Sequence, residues 1–218
     1  MASTMDTVAA TRANLLARRS QIRLAQDGVR LLKGKREALL RELLIRARRL
    51  MSLRKELHRR GRSSAAAMAM ARAVRGTPEV TSVATAGRRE LDVRIHYTKV
   101  WGLELCDVEE AGVVRVANDR GVGLLDFSSH ILDAAVASEL MVEQLVACAP
   151  VEANLRLLGS EVQKVTRRIN ALEEGLLPRL RRQVRRIAAV LDEREREDMF
   201  RLKRIKRKKA AERMAAGS

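Results

Sequence analysis

The sequence predicts a mostly α protein: a long antiparallel two-helix coiled coil with a small α+β, hairpin-containing segment between its arms. Three observations carry this. Both arms place apolar residues three and four apart on a charged background. Aromatic residues are 2% of the chain and charged residues 33%, a bias that suits seams of Leu, Ile, Val and Ala rather than a thick aromatic core. Strand-like alternation is confined to the middle. The predicted organisation is a loose tail at 1–10, an N-terminal coiled-coil helix over 11–75, a middle segment with short strands over 76–127, a long C-terminal helix over 128–209, and a loose tail at 210–218.

Thr11 is the candidate N-cap of the first arm. Leu15, Ile22, Val29, Leu43, Leu50 and Leu57 then share one heptad position, with Arg36 the single break, and Ala25, Leu32, Leu39 and Leu53 share the partner position. About 50 residues at ~1.5 Å each make a helix roughly 75 Å long, too long for an ordinary bundle. Arg59 to Ser64 (RRGRSS) reads as a break or a frayed helix end, with helix resuming over the Ala- and Met-rich stretch to Val74 and ending at Gly76-Thr77-Pro78.

In the middle, Leu91, Val93, Ile95 and Tyr97 alternate with polar residues, the period of a strand. Val113–Ala117 and Val122–Leu125 are shorter strand candidates, and Asn118 to Gly121 reads as a turn. One or two hairpins are expected.

Ser128 or Ser129 caps the next helical region, which runs through Ile131, Leu132, Leu140 and Leu145 to Pro150. The second arm follows, with its seam at Leu155, Leu158, Val162, Val165, Ile169, Leu172, Leu176, Leu180, Val184, Ile187 and Leu191. Pro150 and Pro178 are expected to kink the helix without breaking it, because the stripe continues on both sides. Near Gly175 the stripe drifts toward a mixed seven- and eleven-residue spacing, which relaxes a left-handed supercoil. The connection of about 90 residues lets the second arm return beside the first, with both termini at one end.

The net charge is +17 and the pI about 11.2. Residues 12–62 carry 17 Lys/Arg against 4 Asp/Glu, residues 179–209 carry 14 against 5, and residues 63–178 carry 12 against 16. Both arms are therefore basic and imply acidic partners. Arg201 to Lys209 holds seven Lys/Arg in nine residues. That run could hold phosphate backbones, but only Phe200 accompanies it, so no stacking platform for single strands is present. Cys106 and Cys148 read as buried thiols of a reducing compartment, no run reaches the roughly 20 apolar residues needed to span a bilayer, and no signal-peptide core opens the chain.

Catalytic patterns are missing. HExxH, CxxC and GxSxG do not occur. Gly28 to Lys35 superficially suggests a phosphate-binding loop, but it has five residues between its glycines, Arg36 where Ser or Thr should stand, and a helical setting. His58, His96 and His130 are scattered, and Asp192 to Asp198 alternates acids and bases as a solvated helix face does. No enzyme, cofactor or metal site is expected.

The stretches TRANLLARRSQIRLAQDGVRLLKGKREAL, from Thr11 to Leu39, and VTRRINALEEGLLPRLRRQVRRIAAVLDEREREDMFRLKRIKRKK, from Val165 to Lys209, resemble the D subunit of the vacuolar/archaeal-type rotary ATPases. The specific elements are TRR-x-NALE, a following Pro, and LDEREREDxFRLKRIK in register. The likeness covers the two arms, with 63–150 matching poorly. The arms here are unusually Arg-rich, and Gly175 stands where an apolar residue is expected. The resemblance implies a non-catalytic central rotor shaft that couples ATP hydrolysis or synthesis to ion, in particular proton, translocation. Its implied partners are the catalytic and non-catalytic ring subunits A and B, the small F subunit, and a funnel-shaped subunit over the membrane ring. The implied location is cytoplasmic and peripheral to the membrane. Arg12, Arg19, Arg179, Arg182, Arg186, Arg194 and Arg201 are the expected contacts with acidic loops of the ring. The competing readings are a basic coiled-coil arm that binds RNA, disfavoured by the lack of a second domain, and a parallel dimer, disfavoured by the long non-helical middle.

Overall fold

The computed structural model describes residues 9–109, 112–116 and 128–215. The element order is α1 (Arg12–Arg75), α2 (Thr77–Ala86), β1 (Ile95–Val100), β2 (Leu103–Val108), α3 (Ser129–Asn170), a π turn (Ala171–Leu176) and α4 (Leu177–Ala215). The chain divides into two compact units, one of residues 1–36 with 164–218, the other of residues 37–163.

In the first unit the start of α1 runs antiparallel to the end of α3 and to α4. The ion pairs Arg12–Glu195 and Lys33–Glu173 fix the direction, since one number rises as the other falls. The contact is a narrow apolar seam: Ala25, Val29, Val165, Ile169, Leu177, Leu180 and Ile187 are buried, and Leu15, Ile22, Leu32, Leu172, Val184 and Leu191 are half-buried. Most positions away from the seam are charged, with Leu16, Leu24 and Leu31 exposed among them, so the seam and the ion pairs across it hold the helices together.

One seam position differs from expectation. Leu176 is exposed at 40%, and Leu177 takes the inward place at 7%. The cause is the π turn just before it, in which the Leu177 N–H bonds the Leu172 carbonyl five residues back instead of four. A π turn holds one more residue than the α turn it replaces, so the inward position moves on by one. The Pro178 ring would press on the carbonyl four residues back, that of Glu174, in a regular helix. The widened turn ahead of it relieves that contact.

In the second unit the rest of α1 lies antiparallel to the first part of α3. Arg54 pairs with Glu152 at 3.0 Å, Arg60 with Glu143 at 3.0 Å, and the Ser64 and Ser138 hydroxyls meet at 3.0 Å. Leu39, Leu50, Val151 and Leu158 are buried; Leu43, Leu155 and Val162 are half-buried. The expected break at Arg59 to Ser64 is absent, and α1 is continuous to Arg75. The small residues there serve a close helix contact: Ser64 is buried at 6%, and a methyl on Gly61 would sit 3.9 Å from the Met141 sulfur. Arg60 further secures it by donating to the Leu140 carbonyl.

Gly76 turns the chain at φ +82°, a conformation glycine adopts without steric cost. A helix, α2, follows in the segment for which only short strands were expected. Pro78 sits in the first turn of α2, where its missing N–H is no loss. Val80 of α2 buries against Ala71, Ile131 and Ala134, with Met68 and Val83 beside them, so tertiary packing overrides the β-branched composition of this stretch.

β1 and β2 form an antiparallel hairpin with Val100 opposite Leu103 and Ile95 opposite Val108. Trp101 and Gly102 both have positive φ, 53° and 81°, the geometry of a two-residue hairpin turn matched to strand twist. Leu91 and Val93 precede the strand rather than belonging to it, and residues 113–116 are not a strand. The strand expected at Val122–Leu125 and the turn at Asn118–Gly121 lie outside the described residues.

Candidate partner-binding surface

All seven arginines singled out from the sequence lie in the first unit. Arg12 pairs with Glu195, and Arg194 donates to the Ala10 carbonyl at 3.2 Å. These two bonds bind the start of α1 to α4 and bring Arg12 and Arg194 to one place. Arg201 lies one to two turns further along α4, within 3.9 Å of Glu197 and 3.8 Å of Asp198 on its own helix. Arg19, Arg182 and Arg186 are exposed along the arms, and Arg179 is half-buried beside the seam. The seven thus spread along a surface and form no pocket.

Beyond Leu191, every residue of α4 to Ala210 is exposed. The charges there are accompanied by Met199, Phe200, Leu202 and Ile205, each more than half exposed, and the Lys203 ammonium lies 6.0 Å from the Phe200 ring. These apolar side chains were not among the predicted contacts. Their signal was present: four large apolar residues in a helix whose seam series ends at Leu191. Contiguous exposed apolar residues rimmed by charge mark an interaction surface.

The second unit contains a tighter electrostatic group. The Glu56 carboxylate accepts from Arg59 at 2.6 and 2.9 Å and from Arg60 at 3.1 Å, which holds its pKa at about 2 against an ordinary 4.5. Arg54, and less strongly Arg156, lowers that of Glu152, while burial raises that of the Cys148 thiol. Near α2, a cavity of about 530 Å³ is lined by Val80, Val83, Ile131 and Ala134, with Arg115 and Glu139 at its side.

Nothing in these groups resembles a catalytic constellation. Among the described residues no cluster of three or more His, Cys, Asp or Glu is placed to hold a metal ion, and no helix is long and apolar enough to cross a membrane. Gly28 to Lys35 lies within α1, so its backbone amides are committed to the helix. His96 bonds Glu109 at 2.7 Å beside the hairpin.

A family model described as the ATP synthase D subunit matches residues 14–207. The chain belongs to the family of ATP synthase D subunits. Relatives include the V-type ATP synthase D subunit of Thermus thermophilus, 40% identical over 94% of this chain and 90% of that protein. The V-type ATP synthase D subunit of Anaeromyxobacter sp. strain Fw109-5 is 37% identical over 90% and 91%. The A-type ATP synthase D subunit of Pyrococcus abyssi is 33% identical over 90% and 92%. The likeness to the family runs through the middle segment as well as the arms, wider than the two stretches that first suggested it.

Proposed function

We propose that this member of the family of D subunits is the non-catalytic central shaft of a V/A-type rotary ATPase, coupling ATP turnover in a ring of A and B subunits to ion translocation. The observation that carries the reading is the first unit: two helices clamped along a continuous apolar seam and closed at the chain's start by Arg12–Glu195 and Arg194–Ala10. A shaft needs stiffness along its length and a surface that makes no deep fit with any single neighbour. Long, solvated arginines on a narrow-seamed helix pair supply both. Arg12, Arg19, Arg179, Arg182, Arg186, Arg194 and Arg201 would meet acidic loops of the ring, and the exposed Met199, Phe200, Leu202 and Ile205 would lodge in its apolar lining. The small F subunit, together with the funnel-shaped subunit over the membrane ring, completes the partner set, with the protein on the cytoplasmic face. The test is charge reversal of Arg194 and Arg201 together in a reconstituted complex. ATP hydrolysis should persist while ion pumping per ATP falls; unchanged pumping would remove these residues from the contact.

A further inference from the structure

The two sides of the seam in the first unit keep different counts. On α1, Leu15, Ile22 and Val29 repeat every seven residues, with Ala25 and Leu32 in step. On the opposite side, Val165, Ile169 and Leu172 follow steps of four and three, and Leu177, Leu180, Val184, Ile187 and Leu191 follow steps of three and four. Between Leu172 and Leu177 the step is five where a heptad gives four. Heptads are thus intact before and after one surplus residue, and the π turn Ala171–Leu176 lies where that residue must be absorbed. The ion pairs agree: Arg12 to Lys33 spans 21 residues, three heptads, while Glu173 to Glu195 spans 22. The surplus is concentrated in one turn rather than spread as a drift of supercoil.

Its position is bounded by the side chains around it. With the surplus ahead of Leu176, Leu177 faces the seam, as observed. With the surplus just after Leu177, over Pro178, Leu176 would face the seam and Leu180 onward would be unchanged. One step further toward the N-terminus would place Glu173 inward instead of Leu172, and one further toward the C-terminus would place Arg179 inward instead of Leu180. Two positions are therefore compatible with an apolar seam and the neighbouring ones are not. Gly175, with no atom beyond its chain neighbours and its own helix backbone within 4 Å of where its Cβ would lie, adds no steric barrier to the exchange.

We propose that Ala171–Leu176 is a two-position joint in which one surplus residue moves across Leu176–Leu177, letting either leucine seat in the seam while the rest of α4 keeps its register. It stands whether or not the shaft reading does, since it depends only on the seam.

Stability of the full chain under urea tests it. Leu180→Ala, in the fixed seam, should raise the unfolding constant by at least about thirtyfold, the range for losing a buried leucine. Leu177→Ala should raise it by less than about tenfold, because Leu176 takes its seat, and Leu176→Ala should change it little. The double variant should match Leu180→Ala, far beyond the product of the singles, the signature of coupled sites. Deleting Gly175 should give continuous heptads, a protein at least as stable, and stronger amide-exchange protection over the joint. Gly175→Ala keeps the count and should leave that protection weak. Additive leucine effects, a destabilised deletion variant, or equal protection in Gly175→Ala and the deletion would each overturn the proposal.

Discussion

The side chain of Asn154, buried within α3, bonds both backbone groups of Cys106 in β2: its amide oxygen accepts from the Cys106 N–H at 2.9 Å and its NH₂ donates to the Cys106 carbonyl at 2.6 Å. The amide thus pairs with the strand edge as a third strand would, and Leu105 beside it is 1% exposed. A two-stranded hairpin is marginal alone, so this docking is what holds it. Asn154→Ala would leave two partly buried backbone groups without these partners and should cost about 1–3 kcal/mol. Asn154→Asp keeps the acceptor and loses the donor, and should undock the hairpin as well. The chain has one tryptophan, Trp101 at the hairpin tip. Its fluorescence anisotropy should fall in both variants, and an unchanged value would show the hairpin to be held elsewhere.

Arg36 is the one break in the heptad series from Leu15 to Leu57 on α1, and its Nε is buried with no hydrogen-bond partner among the described residues. A buried donor without a partner carries its full desolvation cost. Arg36→Leu removes that cost and fills the seam. Urea unfolding should shift upward by about 1–3 kcal/mol, whereas Arg36→Ala, which leaves a gap, should gain less.

The seam was legible because heptads are a physical period: Val29, Leu39, Leu50, Val165, Ile169, Leu180 and Ile187 are buried where the spacing puts them. Leu176 was misplaced because a π turn has no composition of its own; only the five-residue step from Leu172 to Leu177 betrays it. Arg59 to Ser64 reads locally as a break, yet small residues also permit helices to approach, and only the facing Ser138 and Met141 decide between these. The helix α2 was hidden by its threonines and valines, since its stability comes from Ala71, Ile131 and Ala134, distant in sequence. The exposed Phe200 and its neighbours were hidden in plain view within a basic run. Composition attracts notice to the charge and away from the apolar residues it surrounds.

The pH dependence of the second unit should show Glu56. Hydrogen bonds from Arg59, then Arg60, favour its charged form and depress the folded-state pKa to about 2. A depressed carboxylate contributes stability that is complete above the ordinary value of 4.5 and is lost as pH falls toward 2. Glu56 and Arg59 remain open to solvent, so the effect is small. Glu152, lowered chiefly by Arg54, acts in the same direction. Glu56→Gln should be slightly less stable than wild type at neutral pH, with the difference closing between about pH 4.5 and 2, so that its acid limb is flatter. Equal slopes for wild type and variant would show that the arginine contacts are not kept in solution.

Arg115 and Glu139 form a deeply placed ion pair in the second unit, with side chains 18% and 10% exposed. The Arg115 Nε donates to Glu139 Oε1 at 2.8 Å, its backbone N–H to Oε2 at 3.1 Å, and its Nη1 to the Gly87 carbonyl at 2.9 Å. One residue therefore ties the end of α2 and residues 112–116 to α3. Breaking a pair this poorly solvated from one side leaves a charge in a setting that was built for two, at about 3–5 kcal/mol, while replacing both partners by apolar groups is often close to neutral. Arg115→Met should accordingly destabilise by an amount in that range, and Glu139→Leu by a similar amount. The double variant Arg115→Met/Glu139→Leu should recover part of the loss, because the cavity beside the pair is lined by Val80, Val83, Ile131 and Ala134 and accepts apolar side chains, while the Arg115 N–H and the Gly87 carbonyl stay without these partners. Urea unfolding of the four proteins gives the coupling directly. Additive losses would mean that Arg115 acts through Gly87 alone, and that Glu139 is held by other contacts of α3.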